Sequence, residues 1–485
     1  MTPNESFIKR INMPIFWAIA IALVYAVVML YITIHLLHDS YNSTGFDLGI
    51  FTQDLKYTLH GQILYSTAGG YQLAHHFSPV LFILVPIYWL FPHAQTLLVV
   101  QGLLLAFSGY LIYVLAREYK YGHHASLVLE GLFFINPLVW GVALFDFHEI
   151  AFAIPALLVM FIGLKRKNWV FFAFGLLFAL ACKEDVILTL GVFGLVLMIF
   201  DYWQHKKVEN TSIIIFFSAI LTYGISVIIS RLASGGESAR ILTYFTNRYN
   251  YIGLPLSTAF PLAVHTIFST GSLFLIGAYL APLAFLPFLS PKWSIPALFV
   301  MLSQILSTNS SQHNGLCQYS AAAIPFLFIA FMEVLTRIRG NRQIKSLIDR
   351  TNKRVVSYSL ILIMLVSCSI ITEGRIQLAS WPDKHDAAIN QVIALVPNNA
   401  TVTASNRIFP HLCSRTNVYL DALEGVGLQA AAGMTKGNWG FPDKDTEYVV
   451  IDFKDQPSFV AYSRVLSSKY EFITNVNGVS LYRLQ

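Results

Sequence analysis

The stretch Trp169–Phe200, WVFFAFGLLFALACKEDVILTLGVFGLVLMIF, is apolar on both sides of one interruption, Lys183-Glu184-Asp185. As a single helix it would overrun a hydrocarbon core about 30 Å thick. Its three charges would also stand in mid-membrane, where ionisable groups are costly. The stretch therefore reads as two crossings, Trp169–Cys182 and Val186–Tyr202, joined by a charged turn at the bilayer surface. The basic triplet Lys165-Arg166-Lys167 just before it and Lys206-Lys207 just after it mark the cytoplasmic side. Lys183 then falls on the outer side, against the usual bias of lysine. That makes it a candidate for a special role.

The rest of the chain follows the same grammar. It has 485 residues, of which 55% are hydrophobic and 12% charged; mean hydropathy is +0.59. A soluble domain carries about 25% charged residues, so a soluble protein is excluded. Lys9-Arg10, Arg117, Lys120, Lys292 and the basic run from Arg337 to Arg354 can all be cytoplasmic if about eleven spans are counted. These are Met13–Leu37, Ala94–Ala116, Ala125–Phe145, Phe147–Leu164, Trp169–Cys182, Val186–Tyr202, Ile213–Arg231, Leu262–Phe288, Trp293–Ser307, Tyr319–Leu335 and Val355–Thr372. Met13–Leu37 is too long and aromatic for a signal peptide and reads as a retained helix. The count requires that Phe77–Phe91, short and broken by Pro79 and Pro86, does not cross. The formal charge of +6 sits in short loops and orients the chain; it does not point to nucleic acid.

This reading gives an α-helical polytopic membrane protein, multi-pass in the cell membrane, with a cytoplasmic N-terminus. Residues 1–372 form the transmembrane domain, with a large outer loop at 38–76 in which the amphipathic Phe46–Leu59 should lie on the membrane surface. Residues 373–485 change character. Asp383–Leu395 reads as an amphipathic helix; Thr401–Ser405, Val418–Leu420 and Tyr448–Phe453 read as strands, and Gln456–Ser467 as a helix. Val476–Leu484 reads as a hairpin around Asn477-Gly478. Alternation of this kind predicts a small extracytoplasmic α/β domain. Cys182, Cys317, Cys368 and Cys413 form no metal or redox motif and read as buried, inert thiols.

The topology brings four polar motifs to one outer surface: Asp47 in Phe46–Phe51, His75-His76, Asp146-Phe147-His148-Glu149 and Lys183-Glu184-Asp185. Each has two readings. Asp47 is a general base or metal ligand, or a residue that favours a helix N-terminus. Asp54, about two turns further on, could share its face. His75 and His76 point about 100° apart on a helix, so they do not both ligate one metal; either can touch substrate or simply sit at the interface. His148 is a metal ligand or proton carrier oriented by Asp146 or Glu149, or all three serve the turn. Lys183 is a point charge for a phosphate, or pairs internally with Glu184 or Asp185. Arg240 and Tyr244, with Arg248 and Tyr249, suit an anionic or sugar group, or anchor the loop at the interface. Glu333 and Arg337, four residues apart, read as a structural pair.

These motifs, with Ala404-Ser405-Asn406, His411, Arg415 and Tyr419-Leu420, resemble a prokaryotic family of predicted membrane proteins catalogued as domain of unknown function 2079. The order of parts is also similar to the GT-C superfamily of polyprenyl-phosphate-sugar-dependent glycosyltransferases, so the fold should be GT-C-like. That resemblance implies a sugar moved, with inversion, from a polyprenyl-phosphate donor to an unidentified acceptor at the lipid bilayer. It makes Asp47 the catalytic base or metal-binding carboxylate, Asp146 the second acidic position and Lys183 the residue facing the lipid phosphate. A divalent metal ion, held by Asp47 and His148, is the cofactor it would admit. The chain departs from the superfamily in carrying histidines where Pro-Pro is usual and Glu-Asp where Gly-Pro follows the lysine. Two other functions stand beside it: a transporter or flippase of a lipid-linked or polar substrate, and a non-catalytic membrane scaffold.

Overall fold

The computed structural model describes residues 3–235, 248–309 except 252, 312, 317–341, 362, 364–369, 381–420 except 416, 446–453 and 469–485. It is mostly helical. Among the described residues, four helices are long and apolar enough to cross a membrane: Met13–Asp39, Ala94–Glu118, Glu184–His205 and Asn210–Ala233. Two bent pairs raise the number to six. His123–Phe134 meets Pro137–Ala143 at 52°, and Leu256–Ile267 meets Thr270–Leu283 at 55°. Proline accounts for the first bend, because Pro137 cannot continue the preceding helix and instead opens the next one, capped by Asn136.

Elsewhere the expected spans hold shorter helices. Ala153–Arg166 has 14 residues, Trp169–Leu180 has 12 and Pro291–Ile305 has 15. Ala323–Gly340 has 18, but carries Glu333, Arg337 and Arg339 in its last turns. The first of these is extended by a tighter turn, Glu149–Phe152. Phe77–Phe91 contains only the short apolar helix Pro79–Leu90. Most of Val355–Thr372 lies outside the described residues. The helices pack around one apolar cluster in which Phe161, Phe193, Phe326 and Trp293 meet mainly edge to face. The opposite faces, at Phe16, Trp17, Val27, Val170, Leu177, Leu221 and Ile228, are apolar and exposed, as lipid-facing surfaces require.

The C-terminal unit is a five-stranded sheet of order β4-β3-β5-β7-β6. Its strands are β3 (Val402–Ala404), β4 (Val418–Leu420), β5 (Tyr448–Asp452), β6 (Tyr470–Val476) and β7 (Val479–Leu484); β1 (Tyr65–Ser66) and β2 (Gly70–Tyr71) form a separate hairpin in the first loop. Strand β3 is parallel to β4 and β5, while β5, β7 and β6 run antiparallel. Asn477 and Gly478 both have positive φ at the β6–β7 turn, which is why that dipeptide suits it. The helix Lys384–Ile393 starts in a reciprocal cap between Asp383 and Asp386 and buries Ile389 and Val392 on the sheet. The expected helix Gln456–Ser467 is outside the described residues.

One expectation changes. The segment Phe46–Leu59 does not present a free polar face. Gly45–Gly49 is a wide π-helical turn, and the helix proper, Ile50–Leu59, buries Thr52, Gln53, Asp54 and Lys56. The C-terminal unit covers that face. Gln53 donates to the Val418 carbonyl at 2.9 Å, Thr67 donates to the same oxygen at 2.7 Å, and Lys56 reaches the Arg415 carbonyl. The four cysteines are free and buried.

Candidate functional site

The four polar motifs meet at one end of the bundle, organised by a single amide. Gln101 projects from the otherwise apolar helix Ala94–Glu118 into the turn that follows Pro137–Ala143. Its side-chain nitrogen donates to the carbonyls of Val142 (2.9 Å) and Phe145 (3.3 Å), and its oxygen accepts the His148 N–H at 3.0 Å. Three backbone groups that would otherwise lack partners are satisfied at once, which fixes the Asp146–Glu149 turn.

His148 then faces Asp47. Nδ1 lies 3.0 Å from the Asp146 carbonyl oxygen, an acceptor only, so that nitrogen carries a proton. Nε2 stands 3.1 Å from Asp47 Oδ1 and 3.1 Å from the Gln318 amide. Burial would raise the Asp47 carboxyl, but His148 and the Thr44 hydroxyl outweigh it and hold it below its usual range. Thr44 Oγ1 is 3.2 Å from Asp47 Oδ2 and 3.0 Å from Asp146 Oδ2, and Thr44 N–H donates to Asp146 Oδ2 at 2.7 Å. A hydroxyl has one proton and serves one carboxylate at a time. Burial, then the charge of Asp47, push Asp146 up to about 7, so a proton on Asp146 relieves that conflict.

A second buried knot adjoins the first. Lys183 Nζ lies 3.0 Å from Glu149 Oε1, with both side chains almost wholly buried, and Ser78 donates to the same oxygen at 3.2 Å. Burial would lower the lysine, but the attraction of Glu149 prevails and holds Lys183 above its ordinary value. Asp54 faces Glu149 rather than Asp47. Its two oxygens and Glu149 Oε2 lack a hydrogen-bond partner, and burial followed by the Glu149 charge pushes the Asp54 pKa far up.

His76 Nδ1 pairs with Glu184 Oε1 at 2.6 Å, and the Phe77 N–H reaches Glu184 Oε2 at 3.3 Å. His75 turns away to the Gly69 carbonyl at 2.7 Å. Arg248 reaches Asp185 at 3.3 Å and lies 5.8 Å from the Tyr319 ring centroid. These three residues edge a cavity of about 450 Å³ whose walls include Leu188, Phe299, Leu302 and Leu306.

The geometry therefore gathers Asp47, Asp146, His148, Glu149, Lys183, Glu184 and His76. His75 points elsewhere, and Arg240 and Tyr244 lie outside the described residues. Lys183 pairs with Glu149 rather than with its neighbours Glu184 and Asp185. Thr44, Gln101 and Gln318 are not singled out by the sequence, and Ser78 stands there only within the family-like run His76-Phe77-Ser78-Pro79. Gln101 carries a signal of its own, as an amide well inside an apolar span. The test for a metal is unfavourable: His148 and Asp47 already engage each other, and among the described residues no three His, Cys, Asp or Glu side chains gather to hold an ion.

Residues 37–480 match the family described as "Predicted membrane protein (DUF2079)", and the chain belongs to that family. No curated protein matches. Among solved structures, the chain is similar to ArnT from Cupriavidus metallidurans, whose crystal structure is bound to undecaprenyl phosphate. The TM-score is 0.54 and the identity 13%, over 96% of this chain and 97% of that one. That likeness shows an ArnT-like fold.

Proposed function

We propose that this family member is an inverting glycosyltransferase that moves a sugar from a polyprenyl-phosphate donor to an acceptor hydroxyl at the extracytoplasmic face of the membrane. In this reading the chain crosses about eleven times, the shorter helices included, with residues 373–485 outside the membrane. The ArnT-like fold and that relative's bound undecaprenyl phosphate support a lipid-phosphate partner. A donor of this kind has its isoprenoid in the bilayer and its phosphate at the surface. The 450 Å³ cavity, apolar in its walls and edged by Arg248, offers both environments.

One observation carries the assignment of the base. Of the carboxylates gathered by the site, Asp47 is 28% exposed, whereas Glu149 and Glu184 are at most 6% exposed. Asp185 reaches the open space equally but is held by Arg248. Asp47 stays ionised beside His148 and is placed to accept the acceptor's proton as attack develops. The acceptor oxygen bonds to the anomeric carbon while that carbon's bond to the phosphate oxygen breaks. The bonding pair leaves on the lipid phosphate, and the acceptor proton passes to Asp47. Lys183, with Arg248 at the cavity edge, supplies positive potential where the phosphate charge grows. The test is incorporation of radiolabelled sugar from a panel of polyprenyl-phosphate donors by purified protein, with EDTA and with added divalent ions. Transfer that persists in EDTA is expected; an absence of both transfer and donor hydrolysis across the panel would overturn the proposal.

A further inference from the structure

The turn that carries Asp47 is held from two directions. On one side Thr44 is bound through its backbone and hydroxyl to Asp146 in the membrane domain. On the other, the next residue, Gly45, donates its N–H to both the backbone oxygen (2.9 Å) and the side-chain oxygen (2.7 Å) of Asn406, just beyond β3 in the C-terminal unit. Phe409, five residues beyond the end of β3, lies directly behind Gly49. A methyl group on Gly49 would come within 2.5 Å of the Phe409 ring, and one on Gly45 within 2.7 Å of Leu420 and 3.1 Å of Asn406 Oδ1. Glycines on both sides of Asp47 let the sheet domain approach its backbone to contact. Arg407 completes the junction by donating to the carbonyls of Tyr41 (2.7 Å) and Ser40 (3.3 Å).

We infer that the C-terminal α/β unit is a positioning element for Asp47, with Asn406 and Phe409 as the residues that set the turn against His148. The inference rests on the transferase reading for its kinetic consequence, but its structural claim stands on the contacts alone. Asn406 and Phe409 touch neither donor nor acceptor in this account. They act through the Gly45–Gly49 backbone, so their loss should displace the base without weakening donor binding.

The test uses full-length protein in detergent or nanodiscs and compares wild type with Asn406→Ala, Asn406→Asp and the milder Phe409→Leu. Hydrogen exchange of residues 44–50 should accelerate about threefold in Asn406→Ala, which removes the side-chain half of Gly45's shared, part-buried hydrogen bond and leaves the half to the Asn406 backbone oxygen. It should return to the wild-type rate in Asn406→Asp, which keeps the acceptor oxygen. In the transfer assay, kcat should fall about 10- to 100-fold in Asn406→Ala with the donor KM little changed, because a misplaced base costs rate rather than binding. Phe409→Leu should move both readouts in the same direction by less. Unchanged exchange at 44–50 in a folded Asn406→Ala, or a loss expressed in donor KM with kcat intact, would overturn the inference. Wild-type protein that transfers nothing, with exchange still accelerated in Asn406→Ala, would sink the transferase reading and support the structural positioning of Asp47.

Discussion

The two ends of the helical bundle use charge in opposite ways. At the end where Ala94–Glu118 and Ala153–Arg166 finish, Arg166 pairs with Glu118 at 2.8 Å and Arg337 with Glu333 at 3.5 Å, in pairs that are well exposed. Lys165 rests over the Tyr119 ring at 3.8 Å. These are interfacial charges, and pairs of this kind are worth about 0–1 kcal/mol each. At the other end, Lys183–Glu149, His76–Glu184 and His148–Asp47 are drawn out of solvent. Desolvation of such groups costs several kcal/mol and is offset only by close pairing. A chain that needed charge merely to orient its helices would have no reason to build the second end. That asymmetry is the physical argument for a functional site.

The contrast can be broken in graded ways. Lys183→Met leaves Glu149 buried without its partner and should destabilise the protein by about 3–5 kcal/mol in a denaturant or thermal melt. Pairing it with Glu149→Leu should recover most of that loss; a double variant as unstable as the single one would mean that the pair is not the source. The pH dependence comes next. The folded-state pKa of Asp146, about 7, lies above its ordinary 3.8, so the stability it contributes is complete below that ordinary value and is lost as pH rises through 7. The Asp146 contribution to stability should therefore fall by on the order of 4 kcal/mol as pH rises from about 4 to about 7, and Asp146→Asn should make the wild-type curve shallower over that window. Gln101→Leu strips three backbone groups of their partner and should cost about 1–3 kcal/mol. The smallest effect belongs to the other end: Arg166→Ala should change stability by less than about 1 kcal/mol. A loss there equal to that of Lys183→Met would erase the distinction between the ends.

The convergence of the polar motifs was legible in the sequence because ionisable residues in an apolar chain stand out, and hydropathy with loop charge orders them. The pairings inside the site were not. Lys183 looked like a partner for Glu184 or Asp185, but it is the N-cap of Glu184–His205, and its extended backbone (φ −169°) turns the side chain toward Glu149 instead. Thr44 and Ser78 matter through single hydroxyls, and hydroxyl residues in loops give no pattern to read. The polar face of Ile50–Leu59 looked solvated because amphipathicity does not reveal what covers a helix. Here the cover is the Asn406–Leu420 region, more than 300 residues away in the chain. Helix bends at Pro137 and between Ile267 and Thr270 likewise separate apolar runs that hydropathy alone joins into single crossings.

The central claim is that Asp47 is the base, and the most direct test is sugar transfer by Asp47→Asn protein shown to fold as wild type does. Asparagine keeps the size of the side chain and an acceptor for Thr44, but it cannot take the acceptor's proton. The account predicts a loss of about 10²–10⁴-fold in transfer rate, with the donor still bound. Transfer by Asp47→Asn at the wild-type rate would contradict it.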